Sequence, residues 1–179
     1  VRGASVNNLV NASISGNDYV VKDFPREYSA IFSPSRISVK NIHWGLSTDD
    51  GSRPWNSSWS STSGNTENSL ATVDSNGKVY GKSAGTTTLW VFGREGTTSL
   101  SGSYAEASKQ IQVVEIQPKN IAVTAPEKYD YVEGETELDL TGLKVSAIYD
   151  RNELANYYSD AESYGDSILS VDVDDYEIS

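Results

Sequence analysis

Leu70-Ala-Thr-Val-Asp-Ser-Asn-Gly-Lys-Val-Tyr-Gly-Lys-Ser-Ala-Gly-Thr86 decides the fold. Two short stretches of alternating character, Leu70 to Asp74 and Lys78 to Tyr80, flank Asn76-Gly77, a dipeptide that tolerates the positive backbone angles of a tight hairpin. Gly81 and Gly85 bracket a second turn before a strand-like run from Thr86 to Phe92. Short strands joined by glycine turns imply an all-β sandwich.

Working outward, alternation predicts further strands at Leu9 to Ile14, Tyr19 to Val21, Glu27 to Phe32, Ile42 to Ser47 and Lys109 to Val114. Tyr28, Ala30 and Phe32 share one parity, as do Ile42, Trp44 and Leu46. Ala71 with Val73, Thr87 with Leu89 and Val91, and Ile111 with Val113 complete the expected core. The run from Gly93 to Ala107 reads as a long turn.

The spelling Ala71-Thr-Val-Asp-Ser-Asn-Gly-Lys-Val79, followed by Gly81-x-Ser-Ala-Gly-Thr86, resembles the group 2 bacterial immunoglobulin-like domains of surface proteins and adhesins. Ile42-His-Trp-Gly-Leu-Ser47 occupies the place of a core-tryptophan strand in that family, which implies a packed Trp44. The resemblance covers roughly Leu9 to Val114 and is interrupted by an insertion, 48–68, that the family pattern lacks.

Composition shifts near Glu115-Ile116-Gln117-Pro118. All four Trp and all three Phe precede this point, and seven of the eleven Tyr follow it. The expected domains are therefore 1–116 and 117–179. In the second, Tyr131-Val-Glu-Gly-Glu-Thr-Glu-Leu-Asp-Leu-Thr-Gly-Leu-Lys-Val-Ser-Ala-Ile-Tyr149 resembles the group 3 bacterial immunoglobulin-like domains. Leu143, Val145, Ala147 and Tyr149 should line its core, with Arg151 to Gly165 as an insertion. Against the family pattern, about two strands of this second sandwich are missing. The two resemblances together imply two tandem immunoglobulin-like β-sandwiches.

The net charge is −11, and its placement is uneven. Residues 1–116 carry ten acidic and ten basic side chains, whereas 117–179 carry fifteen acidic against four basic. The acidic part would repel a polyanion and no basic footprint stands elsewhere, which argues against nucleic-acid binding. No window approaches the ~18 apolar residues of a membrane helix. With no cysteine there is neither a disulfide framework nor a thiolate metal site. Neither a leader nor an initiator Met opens the chain, which reads as a mature or excised piece.

Motifs with chemical content are few. Gly81-Lys-Ser-Ala-Gly85 matches a nucleophile elbow, but a strand follows Ser83 where a helix is required, and the one histidine, His43, precedes it. Gly77 lies one residue too close to Gly81-Lys82-Ser83 for a phosphate loop. Asp74-Ser-Asn76-Gly77 imitates the opening of a calcium loop without its distant Glu. His43, on a strand whose alternate residues face inward, should point to solvent. Asp172, Asp174 and Asp175, with Asp166 upstream, are the candidate oxygen ligands for calcium, against the simpler reading of a solvated face. No cofactor is expected.

Arg53-Pro-Trp55-Asn-Ser-Ser-Trp59-Ser-Ser-Thr-Ser-Gly-Asn65 sets two tryptophans among hydroxyl and amide groups, the chemistry of a carbohydrate-stacking or protein-recognition loop. Trp90 and Phe92 face away from the core by parity and need a cover. Folding the insertion back so that Trp55 or Trp59 lies on Trp90 would supply one, so Trp55, Trp59 and Trp90 are at once the candidate ligand-binding residues and a candidate packing cluster.

The function that the resemblance implies is a non-catalytic stalk or adhesion segment of a bacterial cell-surface or secreted protein. It would act as a monomer and meet a host or cell-wall glycan or a surface protein. Two alternatives stand beside it: a carbohydrate-binding module using Trp55 and Trp59, and accessory modules of a larger secreted polysaccharide-degrading enzyme.

Overall fold

The hairpin at the centre of the sequence forms, with a longer connection than a two-residue turn. Strands β6 (Ala71–Val73) and β7 (Lys78–Gly81) pair antiparallel with Val73 opposite Val79. Asp74 closes the loop: its backbone N–H donates to the Lys78 carbonyl (3.0 Å), and its Oδ1 accepts from the N–H groups of Asn76 (2.8 Å) and Lys78 (3.0 Å). Only Gly77 takes a positive φ, +83°, so one left-handed residue after Asn76 completes the turn.

The structure is a computed structural model that describes residues 9, 11–55, 64–95, 104–128, 130–134, 137, 139–164 and 168–172. It is almost all β, and the chain separates into two compact units, Val1–Glu115 and Ile116–Ser179.

The first unit also contains β1 (Asn11–Ser15), β2 (Tyr19–Val21), β3 (Arg26–Glu27), β4 (Ser29–Ser33), β5 (Val39–Leu46), β8 (Gly85–Glu95) and β9 (Tyr104–Val114). One sheet runs β2-β9-β8-β5, with β2 parallel to β9 and the other pairs antiparallel. A second runs β3-β7-β6, and β1 pairs with β4. Val20, Trp44, Leu46, Leu89, Val91, Ile111 and Val113 from the first sheet meet Ala71, Val73 and Val79 from the second in a single buried cluster. This is a sandwich core made by period-2 alternation.

Three expectations change. Glu27 to Phe32 is two strands, because the Tyr28 N–H donates to the Gly77 carbonyl (3.0 Å) and its ring is buried in the core, while Ser29–Ser33 turns away to pair with β1. Of the run from Gly93 to Ala107, both ends are hairpin arm, since β8 extends to Glu95 and β9 begins at Tyr104. Ile42 is exposed, unlike Trp44 and Leu46 on the same strand.

The second unit holds β10 (Asn120–Thr124), β11 (Lys144–Asp150), a one-turn helix α1 (Arg151–Leu154), a 3-10 turn at Ala161–Tyr164 and β12 (Ile168–Asp172), in an antiparallel sheet ordered β10-β11-β12. Ala147 and Tyr149 are buried as their parity predicts, whereas Leu143 and Val145 are half-buried. The segment read as an insertion contributes to the core: Leu154, Tyr158 and Ala161 are buried, and Tyr158 stacks on Tyr164 with centroids 6.1 Å apart. Asp150 starts the helix by accepting the Asn152 N–H (2.9 Å), an arrangement that together with Lys119 holds its carboxyl below the ordinary carboxylate value.

Candidate functional site

The outer face of the β5-β8-β9 layer gathers the aromatic and charged side chains that the core leaves over. Register places His43, Phe92 and Glu106 in one cross-strand row, Gly45, Trp90 and Ser108 in the next, and Asn41, Arg94 and Tyr104 on the other side. Phe92 is the hub. Its ring lies 5.5 Å from Tyr104 and 6.5 Å from His43, which stacks on it at 24°.

The segment after β5 folds back over this face. Thr48 and Ser52 close its first turn through a backbone bond of 3.0 Å, and Asp50 accepts from the Thr48 hydroxyl (2.5 Å) and the Ser52 N–H (2.9 Å). These donors hold the Asp50 carboxyl at about 2. Arg53, Pro54 and Trp55 then cross the sheet. Trp55 packs edge-on against Phe92 at 6.1 Å, Arg53 lies over the Trp90 ring at 5.5 Å, and the Arg53 Nη2 pairs with Glu106. Trp90 is fixed from its other end, donating through Nε1 to the Ser47 hydroxyl (3.0 Å).

Gly45 explains why the cover fits. A Cβ there would stand 2.8 Å from Pro54 and 2.9 Å from the Trp55 ring, so the absence of a side chain is the seat for both. The return limb is hydrogen-bonded too: Asn65 donates to the Pro54 carbonyl (2.7 Å), and its own carbonyl accepts from the Leu46 N–H (2.7 Å). Beneath it Asn68, buried, uses its whole amide. Nδ2 donates to the Ser47 carbonyl (2.7 Å) and the Thr87 hydroxyl (2.8 Å), while Oδ1 accepts from Leu70 (3.0 Å) and Ala71 (2.9 Å).

Trp55 and Trp90 therefore belong to one cluster on the outer face. Trp55 packs edge-on to Phe92 and Arg53 lies over Trp90, the ring on which the sequence places Trp55 or Trp59. Trp59 lies outside the described residues. His43, expected to face solvent, is half-buried against Phe92, and burial together with Arg94 lowers its pKa. Sequence reasoning passed over Arg53, Glu106 and Tyr104; the parity of Trp90 and Phe92, carried one strand further, is the signal that reaches Glu106 and Tyr104, whereas no local pattern reaches Arg53.

The remaining chemical motifs fall into structural positions. Ser83 is exposed in the turn from β7 to β8, where its N–H and that of Lys82 donate to the Leu70 carbonyl (3.3 and 2.8 Å). A shallow cavity of about 130 Å³ between Asp49, Ser69, Thr86 and Thr88 is polar, and its Asp49 carboxylate is held low by the Ser69 hydroxyl and N–H. Of the calcium candidates, Asp172 ends β12 opposite Ser146, and Asp166, Asp174 and Asp175 lie outside the described residues. Among the described residues no group of three or more His, Cys, Asp or Glu side chains is placed to hold a metal ion, and no helix is long and apolar enough to cross a membrane.

Compared with models of known protein families the chain matches none, and comparison with curated proteins likewise finds no match.

Proposed function

We propose that this chain is a non-catalytic segment of a bacterial cell-surface or secreted protein, two tandem immunoglobulin-like sandwiches acting as a stalk or adhesion module. The observation that supports it best is the seating of Arg53, Pro54 and Trp55 on the outer sheet face, where the groups best suited to hold a ligand are engaged with Trp90, Phe92 and Glu106. Side chains committed to one another in this way stiffen a module. The resemblance of the Ala71 to Thr86 stretch to group 2 domains points the same way, and the partner class is a glycan or a surface protein.

A glycan array that also reads hydrolysis tests the proposal on wild type, Trp55→Ala and Trp59→Ala. Wild-type binding without turnover, or no glycan response, accords with an adhesion or spacing role. Cleavage of any arrayed glycan contradicts it. Binding abolished in both variants would instead assign the chain to carbohydrate recognition through the insertion.

A further inference from the structure

Strand β10 differs from its neighbour β11, which has buried residues. All five of its residues are exposed, although it pairs with β11 over its whole length. It lies at the edge of the sheet, and on the side away from β11 no described strand pairs with it. Register sets Ile121 opposite Ala147 and Val123 opposite Val145, so these four share a face. Ala147 is buried and Val145 half-buried, but Ile121 and Val123 are 61% and 64% exposed. The apolar face of the sheet thus continues past its cover onto the edge strand. Val132 (73% exposed) and Leu140 (40%), in the segment joining β10 to β11, enlarge the exposed apolar surface. Edges of this kind recruit strands.

The charge around it selects the recruit. Glu127, Asp130, Glu133, Glu137 and Asp139 are exposed in that same segment, and residues 117–179 hold fifteen acidic against four basic side chains. A second copy of the unit would bring the same excess negative charge to the same edge and be repelled. We propose that β10 receives an extended segment of a partner protein in which basic and apolar residues alternate. The segment adds as a further strand, its apolar side chains extending the Ile121 and Val123 face and its Lys or Arg groups meeting the acidic rim. This surface belongs to the second unit alone and does not depend on the adhesion role proposed above.

The test uses the full 179-residue chain, isotope-labelled and titrated with an end-blocked synthetic peptide of alternating Lys and Val, with an alternating Glu and Val peptide as control. The expected result is saturable amide shifts confined to β10 and β11 with the Lys peptide, weakened several-fold by high salt, and none with the Glu peptide. Val123→Ser should weaken binding with the spectrum of the free protein otherwise preserved; Val123→Thr, which keeps the β-branch, serves if serine unfolds the unit. Equal response to both peptides, shifts confined to the first unit, or no response overturns the proposal. Dimerisation of the free protein that Val123→Ser abolishes would overturn it in favour of a second copy.

Discussion

Trp44 and Gly77 are in contact across the core: a Cβ built on Gly77 would stand 2.6 Å from the indole of Trp44. The turn that sets the hairpin register and the largest ring in the buried cluster are therefore one unit of packing. Gly77 is required twice, for its left-handed backbone and for the space above Trp44.

Gly77→Ala should accordingly cost about 2–4 kcal/mol, combining left-handed strain with overpacking. Gly51 has the same φ of +83° and open space around it, so Gly51→Ala should cost only about 1 kcal/mol. Urea unfolding of the two variants beside wild type measures both. Equal costs would mean that the Trp44 contact has no energetic weight.

Asn68 carries the joint between the insertion and the sandwich. Asn68→Ala leaves the Thr87 hydroxyl, the Ser47 carbonyl and two N–H groups without their partner and should destabilise by about 2–4 kcal/mol. Asn68→Asp keeps the acceptor for Leu70 and Ala71 but cannot donate to Ser47, and should be at least as damaging. Thermal unfolding followed by circular dichroism separates these from Ser69→Ala, an exposed neighbour, as a mild control.

The parts of this architecture that were legible in the sequence are those set by neighbours a few residues apart. Alternation finds Ala71, Val73, Leu89, Val91, Ile111 and Val113 because the pleat sends every second residue inward. It also identifies Trp90 and Phe92 as outward-facing. It cannot say what covers them, since the contacts of Arg53 and Trp55 join residues 37 apart along the chain in both cases. Tyr28 lies in the core as its parity predicts, but alternation does not show that the strand breaks there, since the bond from its N–H to Gly77 is a tertiary one. In the second unit a helix of four residues leaves no periodic trace, so Leu154 and Tyr158 looked like insertion rather than core.

His43 gives the molecule a pH dependence of definite sign. Burial and Arg94 lower its pKa below 6.5, so in mildly acidic solution the unfolded chain binds a proton that the folded ring resists. Stability is complete above the unfolded value and should fall as pH drops below it, levelling off once the folded ring protonates. Because His43 is the single histidine, His43→Gln should flatten the dependence of the urea midpoint between pH 7.5 and 5. An unchanged slope in the variant would place the proton elsewhere.

Asp50 acts at lower pH. Its carboxyl, held at about 2 by Thr48 and Ser52, supports the turn above the ordinary carboxylate value, and that support is lost as pH falls toward 2. Asp50→Asn should loosen the turn at neutral pH by about as much as the wild type loses in acid, and so flatten the acid limb, as read from amide exchange of Ser52 across pH 7 to 2.

The central claim is that the Trp55 insertion is a structural cover for the outer sheet face. Nuclear Overhauser spectra of the full chain test it most directly, through the protons of the Trp55 ring. The account predicts cross-peaks from that ring to the Gly45 α-protons and to the Phe92 ring. Their absence, with a Trp55 signal that moves when glycans are added, would contradict it.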